Sequence, residues 1–464
     1  MQGPDVPLVL GGVCRKWRGV AMATTRLWEH IYINLPGSRW STEDASEELY
    51  EEFRKVMEKK KGRLECWLAR SGRVPLTVTF FAGSFPRTED DWDGFVSLQH
   101  DFTRLIVFHA THVRCLTLRA PTYLRDIFGD CGDLRILESF TLLESPEPMS
   151  YLEYNGERIY DIDSCLRSPA LRSLTLRGDF DLVCLPIPWS VLTEVVASEL
   201  GGTRGSKALQ MLSSGVPCLR SLRITLRDLD SDYERVPQCI FPSLEELFLE
   251  IRFVGTAGVK RSLKVLGSSL VTGQLRIFEA SCGRTNTKMI EEWPFEFILA
   301  PHCLSLQSVC INLAGLTTGA IVDILIHLPS LASLKMGLIP PEIMRETLSA
   351  LATLHGDSPL CPNLSEIRLD LTHAHEQCIS NVCEEALGLA ERCAEPMRIR
   401  KVWGRSITFP RSRPLADRVR SLREKGLTID WLYYSKKQEV GGSFEYHDHD
   451  TDEEAVAFQS PFRV

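Results

Sequence analysis

LPSLASLKM, residues 328–336, holds the arrangement that decides the fold. Pro329 stands two residues ahead of Leu331, and Leu331, Leu334 and Met336 follow as apolar-x-x-apolar-x-apolar. The last two are two apart, so on an extended strand they point to one side while Lys335 between them points to the other. The same pattern occurs as Val113-Leu116-Leu118, Leu171-Leu174-Leu176, Leu219-Leu222-Ile224 and Leu244-Leu247-Leu249. It continues as Leu275-Phe278-Ala280, Leu306-Val309-Ile311 and Leu364-Ile367-Leu369. Leu134-Leu137 is a weaker copy, and Trp189-Leu192-Val195 shares only the first spacing. Proline precedes many copies, at Pro169, Pro217, Pro242, Pro329 and Pro362, where it is expected to stop the preceding helix and extend the chain.

From residue 219 onward the copies start at 219, 244, 275, 306, 331 and 364. These steps are slightly longer than the ~20–29 residues of a leucine-rich repeat. The expectation is an α/β, leucine-rich-repeat-like solenoid: a curved parallel sheet with helices or loops on the convex side, after a short helical N-terminal segment. Glu342–His355 and Asn381–Cys393 have apolar spacing suited to return helices. Regular repeats place Asn or Cys three residues after the last strand leucine, to hold the turn. Here those positions are Asp179, Arg227, Arg252, Gly283, Ala314, Ile339 and Thr372, so another device must hold the turns. Two separate α/β domains are the rival architecture.

Composition narrows the chemistry. The 464 residues are 25% charged and 44% hydrophobic, with net charge -8, which argues against a dedicated nucleic-acid binder. The 15 cysteines include no C-x-x-C pair, and Cys115 and Cys310 lie in apolar strand-like runs. Buried reduced thiols are expected, with no metal and no cofactor. No run of sequence suits a signal peptide or membrane span, and even Ala320–Leu334 is broken by Asp323, His327 and Pro329. A soluble protein of cytoplasm or nucleus is expected. Gly255–Ser262 (GTAGVKRS) lacks the second glycine of a phosphate loop, and neither a G-x-S-x-G elbow nor an H-E-x-x-H helix occurs. His447 to Asp450 read as a solvated polar run, and His373 and His375 as surface residues.

Residues 37–75 read as a charged helix and connector. Acidic residues at Glu43–Glu52 precede basic ones at Lys59–Arg63, which suits a helix dipole, and Glu51 and Glu52 are spaced to meet Lys55. The array is expected over 76–434 and an acidic flexible tail over 435–464.

Residues 8–35 read LVLGGVCRKWRGVAMATTRLWEHIYINL. Val13, Trp17, Val20 and Ala21 keep helical spacing, Thr24 or Thr25 could cap the next turn, and Leu27-Trp28 offers an apolar anchor. Residues 1–36 resemble the C-terminal half of an F-box, in which V-C-R-x-W-R is followed by L-W. Val13, Cys14, Arg15, Trp17, Arg18, Ala21, Leu27 and Trp28 carry the likeness. It extends to the F-box proteins abundant in mushroom-forming fungi through three further elements. W-L-x-R-S-G-x-x-P-L is met by Trp67, Leu68, Arg70, Ser71, Gly72, Pro75 and Leu76, and P-x-L-R-x-L-x-L by Pro169 to Leu176. L-P-x-x-W-S-x-L-T is met by Leu185, Pro186, Trp189, Ser190, Leu192 and Thr193, with two extra residues before the tryptophan. The L-P-x-E-L-L-type helix that opens an F-box is not among Met1–Pro7, so the expectation is a late-starting reading frame or loss of that half.

The resemblance implies a non-catalytic substrate receptor of a Skp–cullin–F-box ubiquitin ligase. Its adaptor contacts would come from Leu8, Val13, Cys14, Trp17, Arg18, Leu27 and Trp28, and its partners would be a Skp-type adaptor and, through it, a cullin. Strand alternation supplies a second surface. The position between the inward apolar pair holds Thr175, Arg223, Phe248, Glu279, Cys310, Lys335 and Arg368. The next outward position holds Arg177, Thr225, Glu250, Ser281, Asn312, Gly337 and Asp370. Arg223, Phe248, Glu250, Glu279, Asn312, Lys335, Arg368 and Asp370 are the candidate target-binding residues on the concave face. Their mixed charge suits a protein target better than a nucleic acid. A repeat scaffold without adaptor binding is the alternative, and an enzyme the remotest.

Overall fold

A computed structural model describes residues 12–35, 47–82, 92–119, 134–143, 163–178, 182–227, 238–252, 266–282, 295, 304–313, 316–352, 354–355, 358–372, 376–392, 399–406 and 413–433. The chain divides into two units, Met1–Ile224 and Thr225–Val464. The main ladder of each is parallel, its strands joined by helices or loops; the small pair Leu354–His355 and Ser358–Pro359 of the second unit is antiparallel.

The first unit opens with helix α1 (Arg15–Ala23), a short 3₁₀ turn at Thr25–Trp28 and strand β1 (His30–Leu35). Helix α2 (Glu47–Ser71), β2 (Leu76–Ala82), helix α3 (Trp92–Phe108) and β3 (Val113–Arg119) follow, then β4 (Ser139–Leu143), β5 (Ser173–Arg177) and β6 (Glu194–Gly201). Each of β1 to β6 pairs in parallel with the next. Helix α4 (Gly202–Gly215) leads to β7 (Ser221–Arg227), in which the division between units falls.

The second unit contains β8 (Cys239–Phe241), β9 (Glu246–Arg252), β10 (Leu270–Thr272), β11 (Ile277–Cys282) and β12 (Ser308–Asn312). Helix α5 (Thr318–Ile326), β13 (Ser333–Gly337), helix α6 (Pro341–Ala352) and the small pair β14 (Leu354–His355) and β15 (Ser358–Pro359) come next. Strand β16 (Glu366–Leu371), helix α7 (Glu376–Arg392), β17 (Lys401–Ser406), helix α8 (Arg413–Glu424) and β18 (Thr428–Tyr433) complete it. The ladder β9-β11-β12-β13-β16-β17-β18 is parallel throughout. With β7, the two ladders make fourteen strands among the described residues.

Every inward pair of the pattern is buried, among them Leu174 and Leu176, Leu247 and Leu249, Leu334 and Met336, and Ile367 and Leu369. Each such side chain contributes about 1.5–3 kcal/mol by leaving water. The sheet begins earlier than the leucine pattern indicated, because β1, within the F-box-like segment, pairs with β2 along its whole length. Two repeats also sit in a different frame. Phe140 and Leu142 register with Leu174 and Leu176, so that copy is Leu137-Phe140-Leu142 rather than one starting at Leu134. Val195 and Ala197 continue the same rows, so the next copy is Leu192-Val195-Ala197.

The prolines do something more specific than end a helix. The N–H of the first repeat leucine donates to the carbonyl three residues back: Leu171 to Ser168, Leu219 to Val216 and Leu331 to Leu328 at 3.2 Å, and Leu364 to Cys361 at 3.0 Å. Proline is therefore the second residue of a four-residue turn, where its fixed φ suits the bend. Leu137 to Leu134 and Leu192 to Trp189 close the same turn without proline.

The missing asparagine ladder has a backbone counterpart at the strand entrances. One carbonyl per repeat accepts two successive N–H groups of the next. Glu138 takes Arg172 and Ser173, Arg172 takes Thr193 and Glu194, and Thr193 takes Arg220 and Ser221. In the second unit Gln307 takes Ala332 and Ser333, Ala332 takes Ser365 and Glu366, and Ser365 takes Arg400 and Lys401. The recurring bonds are between peptide groups, with the Thr193 and Ser365 hydroxyls adding to the Arg172 and Ala332 carbonyls at 3.2 Å, so the device leaves no fixed sequence signature.

Helix α2 runs eight residues past Arg63 and buries Phe53, Met57, Leu64 and Leu68. Its ion pairs within the helix fall on Arg54, 2.8 Å from both Glu51 and Glu58, and Lys61 reaches Asp101 of α3 at 2.7 Å. Gly72 ends it at φ +60, a conformation that costs an L-residue about 1–2 kcal/mol. The expected return helices are present as α6 and α7, with α7 beginning earlier, at Glu376. The tail 435–464, and His373 and His375, lie outside the described residues.

Candidate functional site

In α1 the V-C-R-x-W-R residues divide by role. Cys14 is the N-cap, its sulfur accepting from the Trp17 N–H at 3.5 Å. Val13 is 64% exposed, Trp17 and Val20 50%, and Met22 42%. Arg18 is exposed, Leu27 half-buried, and Leu8 lies outside the described residues. Thr24 caps nothing ahead of it; its hydroxyl donates back to the Val20 carbonyl at 2.8 Å.

Trp28 behaves oppositely to Trp17, with 1% exposed. Its indole N–H donates to the Ala21 carbonyl at 2.8 Å, which ties the 3₁₀ turn to α1. Trp67 of α2 meets it edge to face at 4.8 Å and donates its own indole N–H to the Trp28 carbonyl at 2.9 Å. The Arg70 guanidinium lies 4.7 Å over the Trp28 ring. Ser71 is buried and bonds the Leu68 carbonyl at 2.7 Å. Two elements forty residues apart in sequence, L-W and W-L-x-R-S-G, thus form one clamp.

The outward face of the second unit's ladder carries its charges in registered rows. Phe248, Glu279, Cys310, Lys335 and Arg368 are successive strand partners. The row extends to Trp403 and Asp430, which the leucine pattern did not reach because Val402-x-Gly404 replaces the apolar pair at the first and Gly426 the leading apolar residue at the second. Lys335 lies 3.7 Å from Glu279. Glu366 bridges Arg368 at 3.0 Å and Lys401 at 3.3 Å. Partial burial pushes the Glu366 carboxyl up, yet Arg368 and then Lys401 hold it below its ordinary value.

The next row contains Glu250, paired to Arg252 at 2.8 Å, Ser281 and Asn312. Asp370 lies beside Gly337 and Arg405 and accepts from the Thr372 hydroxyl at 2.8 Å. A Cβ on Gly337 would collide with Asn312 Oδ1, so glycine there leaves room for the amide. Arg223 lies on β7, the strand in which the division between the units falls. From β1 to β6 the corresponding row is neutral: Tyr32, Thr79, Thr117, Thr141, Thr175 and Val196.

Among the described residues no cluster of His, Cys, Asp or Glu could hold a metal ion, and no helix is long and apolar enough to cross a membrane. His447 to Asp450 and Gly255–Ser262 lie outside them. Burial pushes the Cys310 and Cys361 thiols up to about 12, Glu279 adding to the effect at Cys310. Their thiolate fraction is then roughly a thousandfold below that of an ordinary thiol. In the native protein, iodoacetamide should modify the exposed Cys14, Cys66 and Cys218 and spare Cys310 and Cys361 until denaturant is added. Peptide mapping would show it; native labelling of Cys310 as fast as of Cys66 would mean the row is open at its centre.

Neither the protein-family models nor the curated proteins compared with this chain give a match.

Proposed function

We propose that the chain is a leucine-rich-repeat substrate receptor of a Skp–cullin–F-box ubiquitin ligase, working in cytoplasm or nucleus. The observation that carries the reading is the solvent-facing apolar side of α1. Val13, Trp17 and Val20 recur at helical spacing and stay exposed, while Trp28 fastens the same segment to helix α2. An apolar helix face held on a rigid mount and left uncovered suits a partner protein. The likeness of these residues to an F-box makes a Skp-type adaptor that partner, with a cullin joined through it. The charged rows of the second unit would then receive the target. Ubiquitin transfer would belong to the other subunits, so this chain would need no catalytic site, metal or cofactor.

A repeat scaffold without an adaptor would use the charged rows equally but gives no reason for the exposed helix face. Titration of a purified Skp-type adaptor against the full chain, and against the chain with an L-P-x-E-L-L-type helix added before Leu8, tests the proposal. Binding should occur and weaken by about tenfold or more in Trp17→Asp, a loss of at least ~1.4 kcal/mol, without change in melting. Absence of binding by both chains would sink it.

A further inference from the structure

Among the described residues, strand β1 pairs along one edge only and its other edge is open. The Glu29 carbonyl accepts from the Thr77 N–H at 2.8 Å, on the β2 side. Alternate peptide groups of a strand point to opposite edges, so those of His30, Tyr32 and Asn34 point away from β2. Helix α2 borders this edge. Trp67 takes the Trp28 carbonyl, and Lys60 Nζ takes the Asn34 carbonyl. Between these two pins lies an open cavity of about 680 Å³, flanked by Tyr32 and by Lys59, Lys60, Arg63 and Arg70 of α2. Among the described residues no carboxylate lines it. Burial, and then the charge of Arg63, hold the Lys60 ammonium below its ordinary pKa.

We propose that this groove binds an extended, acidic peptide segment of a partner protein, which adds to the open edge of β1 as a further strand. An uncovered strand edge supplies alternating N–H and C=O groups that only another extended backbone matches along its length. The cationic wall selects the sign: every second side chain of an added strand would point toward α2, where carboxylates meet Lys59 and Arg63. The groove is independent of the adaptor reading, since Val13, Trp17 and Val20 take no part in it.

The test is fluorescence anisotropy on the full chain at low salt, with a labelled octapeptide of alternating Glu and Val as probe and its Lys–Val counterpart as control. The acidic probe should bind at least about tenfold more tightly than the control, and lose about tenfold in Lys59→Glu with Arg63→Glu. Both positions are exposed, so melting should not change. N-methylating one alternate set of probe amides should abolish binding while methylating the other should not, because only one set faces β1. Failure of the acidic probe to bind, indifference to the double substitution, or equal effects of the two methylation patterns would each overturn the proposal.

Discussion

Replacing Trp28 by alanine should destabilise the first unit by about 3–5 kcal/mol, the usual cost of removing a buried indole, and lower its melting temperature by roughly 6–20 °C. Three attachments disappear together: the bond to Ala21 that holds α1, the edge-to-face contact with Trp67, and the platform beneath Arg70. Trp17, in the same sequence element, is the natural control. It is half exposed, and Trp17→Ala should stay within ~0.5 kcal/mol. Calorimetry on the two variants would decide the matter; equal losses would mean that the clamp does not hold the unit together.

The contrast between these two tryptophans shows where sequence reading stops. Helical spacing placed Trp17 on the N-terminal helix and Leu27-Trp28 stood out as an apolar anchor, but neither signal says what the anchor holds. That depended on Trp67 and Arg70, forty residues away, and on an N–H that needed the Ala21 carbonyl. W-L-x-R-S-G was legible as an element and opaque as a device. Its residues only make sense once Trp67 and Arg70 hold Trp28, Ser71 closes the helix and Gly72 turns the chain at positive φ.

The sheet was more legible, because side-chain alternation is a local property. Lys335, Arg368, Glu279 and Phe248 fall in one row as their spacing implied. What failed was the frame of repeats with atypical anchors. Leu134 and Trp189 attract the eye as apolar starts, yet each is the first residue of the turn that precedes the repeat leucine. Trp403 escaped for the converse reason: Gly404 fills an inward position without being apolar, and ahead of Asp430 the first apolar position is Gly426. The backbone bonds at the strand entrances could not be foreseen, since peptide groups are common to every residue.

Leu334 and Lys335, one step apart on β13, should respond to aspartate in opposite ways. Leu334 is fully buried and registers with Val309 on one side and Ile367 on the other. A carboxylate there would have no partner, and an uncompensated buried charge costs about 3–5 kcal/mol. Losing the leucine's packing adds about 2–5 kcal/mol, and the sum rivals the ~5–15 kcal/mol that a domain has in total. Leu334→Asp should therefore unfold the second unit, and because each strand depends on its neighbours the loss should spread along β12, β13 and β16. Lys335→Asp gives up one partly exposed ion pair with Glu279 and brings a carboxylate beside Arg368, so its cost should be about 1 kcal/mol or less. Far-ultraviolet circular dichroism and limited proteolysis would separate the two variants. Similar behaviour would mean that the strand does not present Lys335 outward.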